Sequence, residues 1–391
     1  MFVLNSSAVG DPNNSELFEL KFTNLIIYNL NKKGLGLQAN RTRMEHDKPD
    51  IRQMTEEALI SFFKEQGKKA FRGRQVYEWL WKKGSTSFEK MSNLSKETRK
   101  FLSENFSIPQ LTVHSKQTSQ DGTIKFAFET HDGHLTESVL IPSGSRITAC
   151  VSSQVGCKLN CTFCATGKIP FKRNLTKAEI FDQIMTVKNK AGELYNQSLS
   201  NIVYMGMGEP LLNYGEVKAS IQLIASEKSL GFSPRRVTLS TIGIPEKIKK
   251  LADDEIKFNL AVSLHSALDE TRTRLIPINK QYNLEILKEA LEYFNQKTGK
   301  RITFEYLMLN GINDSMKEAK ALAEYCKNFP VKINLIEYNA IGDPGFQKPD
   351  PQRFNEFKAF LESKNLVVNV RKSRGEDIDA ACGQLSGKNT Q

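Results

Sequence analysis

From residue 146 onward the hydrophobic pattern alternates between short apolar runs and amphipathic stretches. Strand-like runs fall at 147–152, 200–205, 236–241, 257–264, 302–308 and 332–337. Each is followed by a stretch of helical period, at about 176–191, 215–228, 245–253, 283–297, 315–328 and 351–364. Thr176-Lys177-Ala178-Glu179 opens the first of these as a capping box. Successive parallel strands need crossover helices, so six βα units predict a parallel sheet, and six fall short of the eight that close a full barrel. The expected fold is therefore α/β, a partial (β/α)6 barrel over 146–370, open on one side. A last strand-like run, 366–370, leads into a C-terminal segment, 371–391.

The pattern upstream is different. Residues 111–145 switch to period 2, with Asp121-Gly122 and Asp132-Gly133 as hairpin-turn signals, and predict a connecting β-hairpin. Alternation there puts Glu137 on the face of Leu135 and Val139. Either that face is open to solvent, or the carboxylate has a task. Residues 44–110 carry three short helical patterns, near 55–66, 71–83 and 95–105, and predict a small helical domain. In the middle pattern helical spacing marks Val76, Trp79 and Leu80 as core, while Arg72, Arg74, Lys82 and Lys83 could form a phosphate-contacting rim. Residues 1–43 show no sustained period. They are expected to be a poorly ordered, dispensable extension.

Charge sharpens this division. The chain has 391 residues and a formal charge of +11. Residues 51–110 hold twelve basic and seven acidic side chains, whereas 1–50 hold six of each. A small basic module thus precedes a nearly balanced body, which suits a polyanionic partner. No apolar run approaches the roughly 18 residues of a membrane span, and the N-terminus lacks a secretory pattern, so a cytoplasmic, membrane-free protein is expected. Six cysteines are too few for a disulfide scaffold in a chain this long.

Three of them crowd into Cys157-Lys158-Leu159-Asn160-Cys161-Thr162-Phe163-Cys164, just after the first barrel strand. Three closely spaced thiolates can hold three irons of a 4Fe–4S cluster and leave the fourth open. Zinc, with Cys150 or Cys382 as fourth ligand, is the competing reading, although no His follows at finger-like spacing. Gly206-Met207-Gly208-Glu209-Pro210, Ser240, Ser263-Leu264-His265 and Asn339 follow or end later strands, where βα folds bind ligands. Cys326 shares a helical stripe with Leu322 and Phe329 and reads as core. Cys150 alternates with Thr148 and Ser152 on what reads as a polar strand face.

The C-x3-C-x2-C motif, Gly206–Pro210 and the six βα units resemble the radical S-adenosylmethionine superfamily. More narrowly, Ala149–Cys157 and Ser373–Leu385 are similar to the RlmN family, with the likeness running from about residue 50 to 388. That resemblance implies a 4Fe–4S cluster on Cys157, Cys161 and Cys164. It implies S-adenosylmethionine contacts from Gly208, Glu209, Ser240, Ser263, Leu264, His265 and Asn339. Cys382 would be the cysteine that is itself methylated, Glu137 the proton acceptor and Cys150 the resolving thiol, leaving a disulfide. The implied activity is methylation of adenine C2 in 23S rRNA and in the tRNA anticodon loop. A monomer served by flavodoxin or ferredoxin as electron donor would fit. Adenine C2 is electron-poor and cannot attack a sulfonium methyl, which is why a radical route is needed. The rivals are a Cfr-type enzyme methylating adenine C8, and a non-catalytic RNA-binding protein with structural zinc.

Overall fold

The computed structural model describes residues 48–342 and 345–387; the expected extension 1–43 lies outside them. Helices α1 (Glu56–Glu65), α2 (Phe71–Trp81) and α3 (Lys96–Asn105) form the small N-terminal region. Thr55 and Ser95 start α1 and α3 by accepting the N–H groups of Ala58 and Thr98, two of the donors a helix leaves unpaired. α2 crosses α1 at Gly73, where a Cβ would lie 2.6 Å from the Ile60 nitrogen. The tryptophans correct the sequence reading by a partial turn. Trp81, not Trp79, is fully buried beside Val76 and Leu80, and it meets Phe181 edge-on at 5.2 Å. Trp79 is half-buried at the edge of that core, with the Lys83 ammonium 3.8 Å over its ring. Arg74 and Lys82 are exposed, while Arg72 already donates to Gln75 and to the Asn93 carbonyl.

The strands β1 (Thr112–Thr118), β2 (Ile124–Glu129), β3 (Leu135–Ser143) and β4 (Arg146–Cys150) run antiparallel, each to the next. A two-stranded ribbon, β5 (Gln154–Val155) with β6 (Arg173–Asn174), follows. Then come α4 (Lys177–Tyr195), β7 (Leu199–Tyr204), α5 (Tyr214–Ala225), β8 (Val237–Thr241), α6 (Pro245–Asp253), β9 (Asn259–Ser263), α7 (Asp269–Leu275) and α8 (Leu284–Thr298). The last elements are β10 (Ile302–Met308), α9 (Met316–Tyr325), β11 (Val331–Glu337), α10 (Pro351–Ser363) and β12 (Val367–Arg371). From β4 through β7 to β12 every pairing is parallel. All ten strands other than the ribbon make one open sheet, with β1 and β12 at its edges.

This is the partial barrel that the six βα units predict. The hairpin strands extend the barrel's own sheet, because β3 pairs with β4. Capping box Thr176–Glu179 forms as expected and starts α4. The helical region docks on α4 through Arg52, whose guanidinium sits 2.9 Å from both oxygens of Asp182, with Arg52 itself buried. Cys326 is buried with Leu322 and Phe329 in the main core. Among the described residues no helix is long and apolar enough to cross a membrane.

Candidate active site

β4 ends at Cys150, and the loop after it carries the three clustered cysteines. Backbone bonds shape this loop: locally Cys164 N–H to the Cys161 carbonyl at 3.2 Å, and at long range Thr162 N–H to the Leu275 carbonyl at the end of α7 at 3.0 Å. All three thiols line one cavity of about 170 Å³ at the C-terminal ends of the barrel strands. Burial pushes the Cys157 thiol up to about 11 and raises Cys161 and Cys164 as well. Neutral thiols are the favoured form there unless a cationic group compensates the thiolates. Among the described residues no three His, Cys, Asp or Glu side chains gather tightly enough to enclose a single metal ion.

The opposite wall of the cavity comes from the loops after the later strands. Gly208, Glu209, Ser240, Ser263 and His265 all line it. Gly208 has φ +94, and a Cβ there would lie 2.4 Å from the Gln154 Cβ, so only glycine fits. Glu209 is buried and accepts the N–H groups of Leu211 and Ile242, each at 2.9 Å, which ties the loops after β7 and β8 together. Burial raises its carboxyl to about 7. The Ser240 and Ser263 hydroxyls stand 3.5 Å apart across β8 and β9. His265 holds φ +60, and its Nδ1 accepts the Leu307 N–H at 2.9 Å. Burial, then the Arg272 charge, lowers it to about 3, so it is a neutral imidazole with its proton on Nε2. Leu264 is buried behind this wall, its N–H bonded to the Glu305 carbonyl. Asn339 is buried and donates to the Cys382 carbonyl at 3.3 Å.

Several residues that hold this rim carried no signal in the sequence. Arg272 is buried, donates to the Ile242 carbonyl at 2.6 Å and the Leu264 carbonyl at 3.2 Å, and so fixes two rim loops from behind. Arg371, at the end of β12, lines the cavity beside Cys382 and pairs with buried Glu305 at 3.2 Å. The Cys382 charge, foremost, then holds the Arg371 guanidinium above its usual range. Both arginines sit in periodic segments where a charge ordinarily reads as a solvated face.

Beside the cavity the C-terminal strap 375–387 packs on β3 and β4 around a small apolar cluster. Cys382 is exposed and, with Gly383, lines the cavity; the Gly383 carbonyl accepts Ala165 N–H at 2.7 Å. Cys150 is buried with Val139, Met207, Ala380 and Leu385. The polar strand face expected for it is therefore an apolar pocket, because the strap covers that side of the sheet. Burial, then the nearby Cys382 charge, pushes the Cys150 thiol up to about 12. Glu137 is 1% exposed, so its face is not open to solvent. One of its oxygens accepts the strap's Ser386 and Gly387 N–H groups at 2.8 and 3.1 Å. The strap is itself anchored by Asp377 to the Ser119 hydroxyl and by Gly375 N–H to Asp121. Cys150 and Cys382 are free thiols here, so a standing disulfide between them is not supported.

The donor chemistry fits an iron–sulfur cluster: three soft thiols share one wall, facing a glycine-shaped loop and paired serines across the cavity. Comparison with known proteins agrees. Residues 151–323 match the radical SAM superfamily, and residues 49–108 match the ribosomal RNA large subunit methyltransferase N-terminal domain. A probable dual-specificity RNA methyltransferase RlmN from Flavobacterium johnsoniae is 52% identical over 348 residues, covering 89% of this chain and all of that one. The Bacillus licheniformis protein of the same name is 42% identical, over 90% of this chain and 98% of its own. A crystal structure of a radical SAM methyltransferase from Sphaerobacter thermophilus superposes with a TM-score of 0.83 at 36% identity, over 87% of this chain and 100% of that chain. These relatives favour neither the C8 rival nor the zinc-protein reading. The chain belongs to the RlmN family of radical S-adenosylmethionine RNA methyltransferases.

Proposed function

We propose that this enzyme methylates C2 of an adenosine in 23S rRNA and in the tRNA anticodon loop through an S-methylcysteine on Cys382. The observation that carries the reading is the position of Cys382, exposed on the cavity wall with the three clustered cysteines, while Cys150 and Glu137 lie under the same strap. Relatives named dual-specificity RNA methyltransferase support action on more than one RNA, and the match to a ribosomal RNA large subunit methyltransferase N-terminal domain supports rRNA as one of them.

Cys157, Cys161 and Cys164 would hold a 4Fe–4S cluster, and Gly208, Glu209, Ser240, Ser263, Leu264, His265 and Asn339 would surround S-adenosylmethionine. When bound, that pair supplies a carbon radical able to activate a methyl group. Cys382 takes a methyl from one S-adenosylmethionine on sulfur: the sulfonium–methyl bond breaks, S-adenosylhomocysteine leaves, the thiol proton is lost, and Cys382 presents the methyl toward the cavity. Asn339 and Ala165 hold the strap at that residue and the next through the Cys382 and Gly383 carbonyls. Glu137 accepts the C2 proton once the carbon–carbon bond has formed. Cys150, as thiolate, then attacks the Cys382 sulfur, forming a transient S–S bond as the sulfur–carbon bond to RNA breaks; the carbon leaves with that bond's electron pair and takes up a proton to become the C2 methyl. Burial disfavours the Cys150 thiolate, so release should depend on pH. A monomer served by a flavodoxin or ferredoxin completes the reading.

Anaerobic turnover on unmodified tRNA and rRNA, followed by nuclease digestion and mass spectrometry, tests it. The expected product is 2-methyladenosine from both RNAs. Adenosine methylated at C8, or left unmethylated, contradicts the proposal.

A further inference from the structure

Lys125 lies in β2, a strand otherwise filled by Ile124, Phe126 and Phe128 in the core, yet its side chain is only 4% exposed. Lysine is almost never so buried without a partner. Its partner is Glu137: the Nζ stands 3.7 Å from Glu137 Oε1. The register explains the meeting, because Lys125 faces Val139 and Ala127 faces Glu137, so the two charges are diagonal neighbours on one sheet face. The same ammonium donates to the Asp379 carbonyl at 3.4 Å. Asp379 takes φ +52, unusual for a residue with a side chain, three positions before Cys382.

The two oxygens of Glu137 are therefore treated differently. Oε2 is taken by two strap amides. Oε1 faces the ammonium at a distance longer than a hydrogen bond, which leaves a lone pair free while the charge is compensated. A buried ion pair is a poor way to gain stability, since an apolar pair of similar volume often does as well. Its use must lie in the carboxylate.

We propose that Lys125 is a positioning residue for the deprotonation step, holding Glu137 Oε1 and the Cys382 strap in one fixed relation. The inference rests on the reading of Glu137 as the proton acceptor. In that step the C2–H bond breaks, its electron pair stays in the adenine ring and the proton passes to Glu137; Lys125 neither gains nor loses a proton.

The test uses the full chain with its cluster reconstituted, unmodified tRNA and S-adenosylmethionine, under anaerobic conditions. Lys125→Met should slow methylated product roughly tenfold or more, with the RNA KM and S-adenosylmethionine cleavage unchanged. It should also accumulate a covalent protein–RNA adduct stalled before proton loss. Lys125→Arg should restore most of the rate. If Lys125→Met fails to fold, Lys125→Gln, which can still reach the Asp379 carbonyl, carries the same expectation. In thermal unfolding of the cluster-free chain, Lys125→Met should be less stable than Lys125→Met/Glu137→Gln, because only the single variant leaves a buried carboxylate uncompensated. Wild-type turnover, a slow variant without adduct, or no recovery with Lys125→Arg overturns the proposal. Glu137→Gln, assayed in parallel, separates the two ideas. An adduct there but none in the lysine variants refutes Lys125 alone, whereas no adduct in Glu137→Gln refutes the proton-acceptor reading beneath it.

Discussion

The thiols of the 157–164 loop and the pair Cys150–Cys382 occupy adjoining spaces but unlike surroundings. The first three are brought together by a single tight loop and face the cavity between the barrel strands. The second pair comes from a strand end and from a strap more than two hundred residues later, which tertiary hydrogen bonds from several elements hold in place. Local chain geometry suffices to build a ligand set. The pair proposed to carry and release a group is built from two parts of the fold, one thiol buried and the other exposed. The difference predicts that the two regions fail in different ways.

The largest effect should come from Cys161→Ala, which removes a thiol from the loop and should cost both S-adenosylmethionine cleavage and RNA methylation. Iron content and the brown colour of anaerobically purified protein report the loss directly. A variant that keeps a full cluster and full activity would place the ligand set elsewhere. Cys382→Ala should divide the two regions: cleavage of S-adenosylmethionine persists slowly, and no methylated RNA appears. Methylated adenosine from this variant would refute the S-methylcysteine route.

A pH series separates the regions without mutation. Burial holds the Cys150 thiol up at about 12, so across the neutral range it is mostly protonated. Below that value the thiolate fraction grows about tenfold per pH unit, and release of RNA from Cys382 should accelerate accordingly. Cleavage of S-adenosylmethionine needs no Cys150 thiolate and should not share that slope. Rapid-quench measurement of adduct decay against pH checks this; a flat profile would mean that Cys150 does not limit release.

The smallest effect should come from the helical region. Replacing Arg72, Arg74, Lys82 and Lys83 together by alanine should weaken RNA binding and flatten the slope of log affinity against log salt by up to about 3. The chemistry of bound RNA should be unchanged in both thiol regions. An unaltered salt slope would make this region a structural cap.

The parts of the molecule readable from the chain alone were those set by short-range pattern. Apolar runs separated by amphipathic stretches predict the six βα units, and spacing alone draws attention to the C-x3-C-x2-C loop. Helical spacing marks a single apolar stripe, but α2 also packs against Phe181 of α4, which buries Trp81 outside that stripe. Periodicity also assumes that a strand has one covered face. β3 and β4 are covered on both, by α4 on one side and the strap on the other, so Glu137 looks exposed or ambiguous and Cys150 looks polar-facing. Lys125, Arg272 and Arg371 escape notice for a related reason: charge in a periodic segment ordinarily marks solvent, and only tertiary contact shows each with a buried partner. The roles proposed for Cys382 and Glu137 come from family resemblance; alternation marks Glu137 as oddly placed but leaves its task open.

The account stands on Cys150 and Cys382 acting as a releasing pair, and Cys150→Ala tests that most directly. With reconstituted enzyme and unmodified tRNA, this variant should accumulate RNA bound covalently to protein. The adduct should survive a denaturing gel, and after nuclease digestion its mass should map to the peptide containing Cys382. Free methylated RNA formed at the wild-type rate, with no protein-bound species, would contradict it.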